Sequence, residues 1–481
     1  MSVTVSNVTS TIANGSYKAS QDIYIQIQFS NTVVVTGSPQ LALNSGGTAT
    51  FDTTAPSTSS GRSTTTNTND TLHFKYTVGA GHNASDLNYN DTDSLSLNSG
   101  TIQDSGASNA TLTLPGTSAS GSLGVNKAIV IDAIAPSAFN ITVTAKNGTV
   151  VSGKYNSTNN GIDVVVPIAN DTSLNSGNVE LEVSVNGGSN YSSIGGTHHG
   201  LYGISSIDTS LTCNITDTEF RGAVTEGQTA TFRAKITDVV GNTTTSSNTV
   251  DIDYSETLPQ VNSFSLSDTT LKNNETATVQ IVFNKAVTGF ASASDITIPT
   301  GTNQESSSVA IGTLTTMSTS DNITWTGTFT PAAKLIVSGQ TLTLGTSYTD
   351  TFGNAPTSTA NSNSFSIDTT PYATSFSMDR TSFSRADNTA TVTIVFNEAV
   401  ANLTKDDITV QNGTLGTMSS GDNITWTGTF TATMDIEDNS NKLTLGTNYT
   451  QFPVSPSGNP GAAKETDCLL YTSDAADDGI R

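Results

Sequence analysis

Three aspartates each leave an apolar run a few residues before a proline: Ile131-Asp132 ahead of Pro136, Ile252-Asp253 ahead of Pro259, and Ile367-Asp368 ahead of Pro371. A carboxylate there, followed by a ring that stiffens the connection, stands where two modules of a chain meet. Calcium suits such a place, because it takes about six to eight oxygens from carboxylates, amides and backbone carbonyls. Bound across a junction, it would fix the angle between neighbours. Asp251-Ile252-Asp253 with Glu256 is the densest of these clusters.

A second recurring element is Asp-x-x-Gly-Asn, with Asp238, Gly241 and Asn242 in one copy and Asp350, Gly353 and Asn354 in another. A looser version uses Asp104, Gly106 and Asn109, and a further copy keeps Gly458-Asn459 without the Asp. Asx and Gly residues also close a tight hairpin unaided, through local backbone bonds and positive φ. The turn reading and the ligand reading both stand. Asp295 and Asp407, each in Asp-Ile-Thr, and the acidic turn residues Glu275 and Asp387 complete the candidate oxygen ligands.

Other chemistry is thin. The chain has four His, and the adjacent pair His198-His199 lies in a Gly-rich loop from Gly195 to Gly203. Neighbouring side chains on an extended strand face opposite ways, and no third ligand is near them in sequence. There is no His-Glu-x-x-His, no Gly-x-Ser-x-Gly, no Cys-x-x-Cys and no phosphate-cradling loop. An enzyme would have to gather His82, His198 or His199 with carboxylates from distant loops, so a non-catalytic protein is expected. Acidic residues number 41 against 18 basic, a net charge of -23. Nucleic acid and anionic membrane surfaces are therefore poor partners, and cations are better ones. Charged residues make up only 12%, about half the usual share, and Ser, Thr, Asn and Gly fill the surface instead.

Cys213 and Cys468 offer one disulfide at most. The stretch from Cys468 to Asp477 resembles the in-frame translation of a transposase adapter used in sequencing libraries, so residues 467–481 are expected to be a non-native tail. No basic start with an apolar core follows Met1, and no stretch approaches the ~20 apolar residues of a membrane helix. Both ends read as truncated, so a secretion signal is not legible.

The elements that must position these groups are strands. Ile23, Ile25, Ile27 and Phe29 alternate with Tyr24, Gln26 and Gln28, a period of two that gives one dry face and one wet face. Val33–Val35, Leu41–Leu43, Leu72–Val78 and Ala110–Leu114 follow between Gly, Ser, Asn and Pro clusters, the spacing of an all-β sandwich. A Ser/Thr-rich insert from Thr53 to Asp70 lacks alternation and is expected to be a mobile hairpin loop. After Pro136 come Ile141–Ala145, Ile162–Val166, Val179–Val185 and Thr231–Ile236. Helical patterning is essentially missing.

The last two modules are copies of each other. Thr278–Val287 matches Thr391–Val400, and Asp321–Thr330 recurs without a change as Asp422–Thr431. The third module carries an extra loop around Thr300–Val309, length varying at a turn while strands stay fixed. The repeated strand holds the only tryptophans, Trp325 and Trp426. Core packing is the plain reading, and stacking on a sugar ring is the sharper one. Modules of about 100–150 residues give four segments, 1–132, 133–255, 256–369 and 370–466.

These residues resemble the bacterial immunoglobulin-like repeats of very large surface adhesins exported by type I secretion and associated with biofilms. In the first module the resemblance rests on Tyr17-Lys18, on Ser38 to Leu43, on Tyr76-Thr77-Val78 and on Leu123 to Asp132. Later it rests on Ile281 to Val287, its twin, and the Asp-x-x-Gly-Asn turns. It covers nearly all of residues 1–466 and implies tandem immunoglobulin-like sandwiches in an elongated array. The implied role is a non-catalytic, extracellular spacer at the bacterial surface, stiffened by calcium, whose partners are neighbouring modules and, through missing distal domains, a surface glycan or protein. The other reading is a set of carbohydrate-binding accessory modules of a secreted polysaccharide-degrading enzyme. Exposed, coplanar indoles would favour that one.

Overall fold

The computed structural model describes residues 2–54, 68–195, 201–303, 307–436, 438–451, 464–465 and 470–472. Strands dominate throughout, and the chain divides into two compact units, Met1–Glu256 and Thr257–Arg481. Each unit holds two separate hydrophobic cores. In the first they run from Val3 to Ala133 and from Phe139 to Tyr254; in the second, from Phe264 to Ile367 and from Ala373 to Tyr449. The fold is all-β, built of tandem immunoglobulin-like modules.

The first module is organised by one long strand, Asp22–Thr36, paired antiparallel with Val5–Ser10 on one side and Thr68–Thr77 on the other. Ile23, Ile25, Ile27 and Phe29 point into the core. Each such burial contributes about 1.5–3 kcal/mol, which fixes the register: a slip by one residue would turn every one of them to water. Val33–Val35 is the continuation of this strand beyond an irregularity after Gln28, not a strand of its own. Ala110–Leu114 is not a strand. Its N–H groups are parcelled out to different segments, Ala110 to Ile102, Thr111 to Val3 and Leu114 to Thr92, so no ladder forms.

One parallel pairing recurs in all four modules: the short second strand lies beside the last. The pairs are Gly15–Tyr17 with Ile129–Asp132, Lys154–Tyr155 with Val250–Tyr254, Thr270–Lys272 with Phe365–Asp368, and Ser382–Phe383 with Leu470–Thr472. In register, Lys154 stands opposite Asp253 and Lys272 opposite Asp368. The strand Leu470–Thr472 thus holds the last-strand place in the fourth module, within the stretch expected to be a non-native tail.

In the twin modules the strand Thr324–Pro331 packs beside Ala277–Phe283, and Thr425–Ala432 beside Thr389–Phe396, with Ile281 opposite Trp325 and Ile394 opposite Trp426. The extra loop of the third module is a small hairpin, Thr300–Thr302 against Ser308–Ala310. Most of the Thr53–Asp70 insert lies outside the described residues, although the strand Thr68–Thr77 begins within it. A short helix, Asp217–Ala223, was not legible in apolar spacing. At 7 residues it is too brief for that pattern, and a Thr216/Glu219 capping box marks it instead.

Candidate functional site at the module junctions

The turn after the strand Thr229–Thr237 is built around one carboxylate. Asp238 Oδ1 accepts the N–H groups of Val240 at 2.9 Å, Gly241 at 2.6 Å and Asn242 at 2.8 Å, and Oδ2 accepts from Asn242 Nδ2 at 2.8 Å. Gly241 sits at φ 96°, a backbone state that glycine adopts without strain. The geometry aims the Asn242 amide outward as well. Its Nδ2 also donates to the carbonyl of Asp132 at 2.9 Å, at the end of the first module's last strand. Lys18 Nζ returns the contact, donating to Gly241 O at 3.0 Å, and Thr244 Oγ1 donates to Pro136 O at 2.5 Å. Three hydrogen bonds therefore clasp the second module onto the end of the first and onto the linker.

The same turn recurs in the third module. Asp350 Oδ1 accepts from Phe352 N and Asn354 N at 2.9 Å each, and Oδ2 from Asn354 Nδ2 at 3.1 Å. Lys285 Nζ adds an ion pair to Oδ2 at 3.1 Å and donates to the linker carbonyl of Thr257 at 2.5 Å.

Asp132 lies beside a cleft of about 290 Å³ that Asp171, Ser173, Ile134 and Val239 also line. Burial, with lesser pushes from the charges of Asp238 and Asp171, raises its carboxyl above the usual range against a pull from the Ile134 N–H. Asp171 had no place among the sequence candidates. It caps the short turn Thr172–Leu174, accepting from Ser173 N at 2.9 Å and Ser173 Oγ at 2.8 Å, and the signal for it was the Asp-x-Ser spacing.

The remaining candidates are spread through the chain. Asp253 meets Lys154 Nζ at 2.5 Å and Thr229 Oγ1 at 2.5 Å, and these two bonds hold its carboxyl below the usual range. Glu256 pairs with Arg221, Asp387 with Arg380, and Asp251 is exposed. Asp368 accepts from Thr370 N and Oγ1. Asp295 accepts from Ala291 N, Asp407 from Thr404 N and Oγ1, and Glu275 from Lys272 N. Among the described residues no group of three or more His, Cys, Asp or Glu is arranged to hold a metal. The Asp238 oxygens are occupied by N–H donors, and lysines pair with Asp253 and Asp350, so these three carboxylates are engaged in protein contacts.

His198 and His199 lie outside the described residues. His82 stacks on Tyr76 with ring centroids 5.7 Å apart, and its Nδ1 accepts the Gly79 N–H at 2.9 Å, a turn contact. Cys213 is buried, and burial pushes its thiol up to about 12, which leaves it unreactive. Cys468 lies outside the described residues. Trp325 is half-buried with its ring edge on Phe290 at 4.8 Å, and Nε1 donates to Asn322 O. Trp426 is likewise half-buried against its core, with Nε1 donating to Asn423 O.

Small sandwiches with separate cores, joined by turns that clasp the preceding linker, define a tandem immunoglobulin-like repeat. Residues 255–367 and 368–468 each match the family described as bacterial Ig-like domain, two matches in tandem. Among solved structures, the Escherichia coli adhesin FdeC is similar at 14% identity over 70% of this chain and 96% of that one, with a TM-score of 0.23. A 1.5-MDa bacterial ice-binding adhesin is similar at 14% identity over 70% of this chain and 99% of that one, with a TM-score of 0.29. A Bacteroides ovatus protein of a mixed-linkage glucan utilization locus follows at 12% over 70% of this chain and 71% of that one, with a TM-score of 0.15. At these identities and scores none of the three bears on function. No curated protein is similar to the chain.

Proposed function

We propose that this chain is a non-catalytic extender segment of a bacterial cell-surface adhesin, a spacer that holds an adhesive part away from the cell. The observation that carries the reading is the clasp of Asn242, Lys18 and Thr244 across the first linker. Hydrogen bonds of this kind contribute about 0.5–1.5 kcal/mol each. Three together are comparable with the ordering cost of two or three linker residues at about 1–2 kcal/mol each. A module swinging on a free linker needs no such contact, whereas a spacer does. The match of residues 255–367 and 368–468 to the bacterial Ig-like domain family supports the same role.

Solution scattering of the full chain tests it. A rod-like profile is expected, and a compact, collapsed particle would sink the spacer. The carbohydrate-binding reading is weaker, because both indoles are turned into their own modules instead of forming an exposed platform.

In this reading stiffness comes from protein contacts and not from calcium. Thermal melts in EDTA, in millimolar magnesium and in millimolar calcium are expected to overlay. A site of micromolar affinity would add about 4 kcal/mol in millimolar calcium, so a rise with calcium alone would restore the junction carboxylates as ligands.

A further inference from the structure

Five Asn-Gly pairs stand in the chain, beginning at Asn14, Asn147, Asn160, Asn186 and Asn412. In such a pair the backbone nitrogen can attack the preceding side chain with little hindrance, because glycine sets no Cβ in the way. The structure treats one of the five differently. Asn186 and Gly187 are exposed, in the loop between the paired strands Asn178–Ser184 and Ser192–Ser193. The Asn186 carbonyl is held by two donors: Oδ1 accepts the Ser184 hydroxyl at 2.7 Å and the Asn190 N–H at 2.9 Å. Ser184 is itself buried, and its Oγ accepts the Gly188 N–H at 3.0 Å. That bond fixes the hydroxyl and polarises it toward Asn186.

The attacking side is open. Gly187 sits at φ 67°, and nothing lies within 4 Å of where a Cβ on it would stand. Among the described residues, neither its N–H nor the Asn186 amide nitrogen meets a hydrogen-bond acceptor.

The other four pairs lack this combination. Gly15 N donates to Ala128 O at 3.0 Å, a Cβ on Gly148 would collide with Thr158 O, and one on Gly161 would lie 2.8 Å from Ile215 O. At Asn412 the amide nitrogen is tied to Asp438 and Asn441, and Gly413 lies against the Phe430 ring.

We propose that Asn186 is a self-modification site, where the loop speeds its own conversion to aspartate and isoaspartate. Hydroxide takes the Gly187 amide proton. The nitrogen then bonds to Asn186 Cγ, and the negative charge moves to Oδ1, where the Ser184 hydroxyl and the Asn190 N–H already point. Donors placed in advance at a developing oxyanion stabilise it more than they stabilise the neutral carbonyl. As that carbonyl re-forms, the Cγ–Nδ2 bond breaks and the nitrogen leaves as ammonia, with a proton from water. Water opens the resulting five-membered imide at either carbonyl. The sum is asparagine and water giving ammonia and a carboxylate, with no change of oxidation state. Either product puts a new negative charge beside Ser184, and isoaspartate also lengthens the backbone by one methylene. The step goes beyond the spacer role and does not depend on it.

The test holds the full chain folded at mildly alkaline pH and follows it over days by peptide mapping after cleavage at glutamate. Cuts at Glu182 and Glu219 leave Asn186 in a peptide with no other Asn-Gly pair. Chromatography and mass then separate asparagine, aspartate and isoaspartate. Asn186 is expected to convert about tenfold faster than the other four, the effect of one hydrogen bond to a developing charge. Ser184→Ala should remove most of that lead, and Ser184→Thr, which keeps the hydroxyl, should retain it. In urea the lead should vanish, a comparison that stands even where Ser184→Ala fails to fold. A native rate at Asn186 no higher than at the other pairs, a rate unchanged in a folded Ser184→Ala chain, or a faster rate in urea than in the folded chain would overturn the proposal.

Discussion

Asp238 illustrates how one short side chain can build a turn and a junction together. Its carboxylate replaces the backbone partners that a tight turn lacks, and in doing so it fixes the Asn242 amide so that one group bonds both inward and outward. Asn242→Ala removes both bonds. A loss of about 1–3 kcal/mol from the second module is expected, read by urea denaturation, together with a broader distance distribution between labels in the first two modules. A loss of stability with an unchanged distribution would confine Asn242 to its own turn. The sequence announced the Asp-x-x-Gly-Asn pattern but left turn and ligand equally open. The positions of the N–H donors show the turn.

At the scale of the element, the repeated strand with Trp, Gly and Phe on one face depends on the gap its glycine leaves. A Cβ built on Gly327 would lie 2.6 Å from Met317 Sδ, and one on Gly428 would lie 2.4 Å from Met418 Sδ. The thioether fills the space that a side chain would need. Gly327→Val should therefore overpack the third module by about 1–3 kcal/mol. Chemical denaturation of the Gly327→Val chain measures it, and a variant as stable as the parent would mean that Met317 can swing clear. The period of two was legible in the Thr-spaced sequence. The methionine beneath the glycine was not, because it comes from a different strand-edge segment and no local pattern links the two.

At the scale of the whole molecule, four separate cores on one chain imply stability that is approximately a sum of modules and their junctions. A cavity in one core should then stay local. Ile394→Ala in the fourth module is expected to cost about 2–5 kcal/mol and, by calorimetry, to lower one transition while leaving those of the first unit in place. If every transition shifts together, the modules unfold as one cooperative body and the additive picture fails.

The sequence by itself determined the strands, the repeat and the absence of familiar catalytic motifs, since alternation, punctuation by Gly and Pro, and internal copies are properties of neighbouring residues. It could also place a carboxylate at the end of each of the first three modules. What it could not supply was the partner of each carboxylate. The short second strand joins the last strand of its module from roughly a hundred residues away, and that pairing sets Lys154 against Asp253. Whether an aspartate is neutralised by a lysine, as Asp253 is by Lys154, depends on the distance between groups far apart in the chain. Electrostatic energy varies with those distances, so tertiary structure alone decided which carboxylate is paired with a lysine and which junction is clasped by hydrogen bonds.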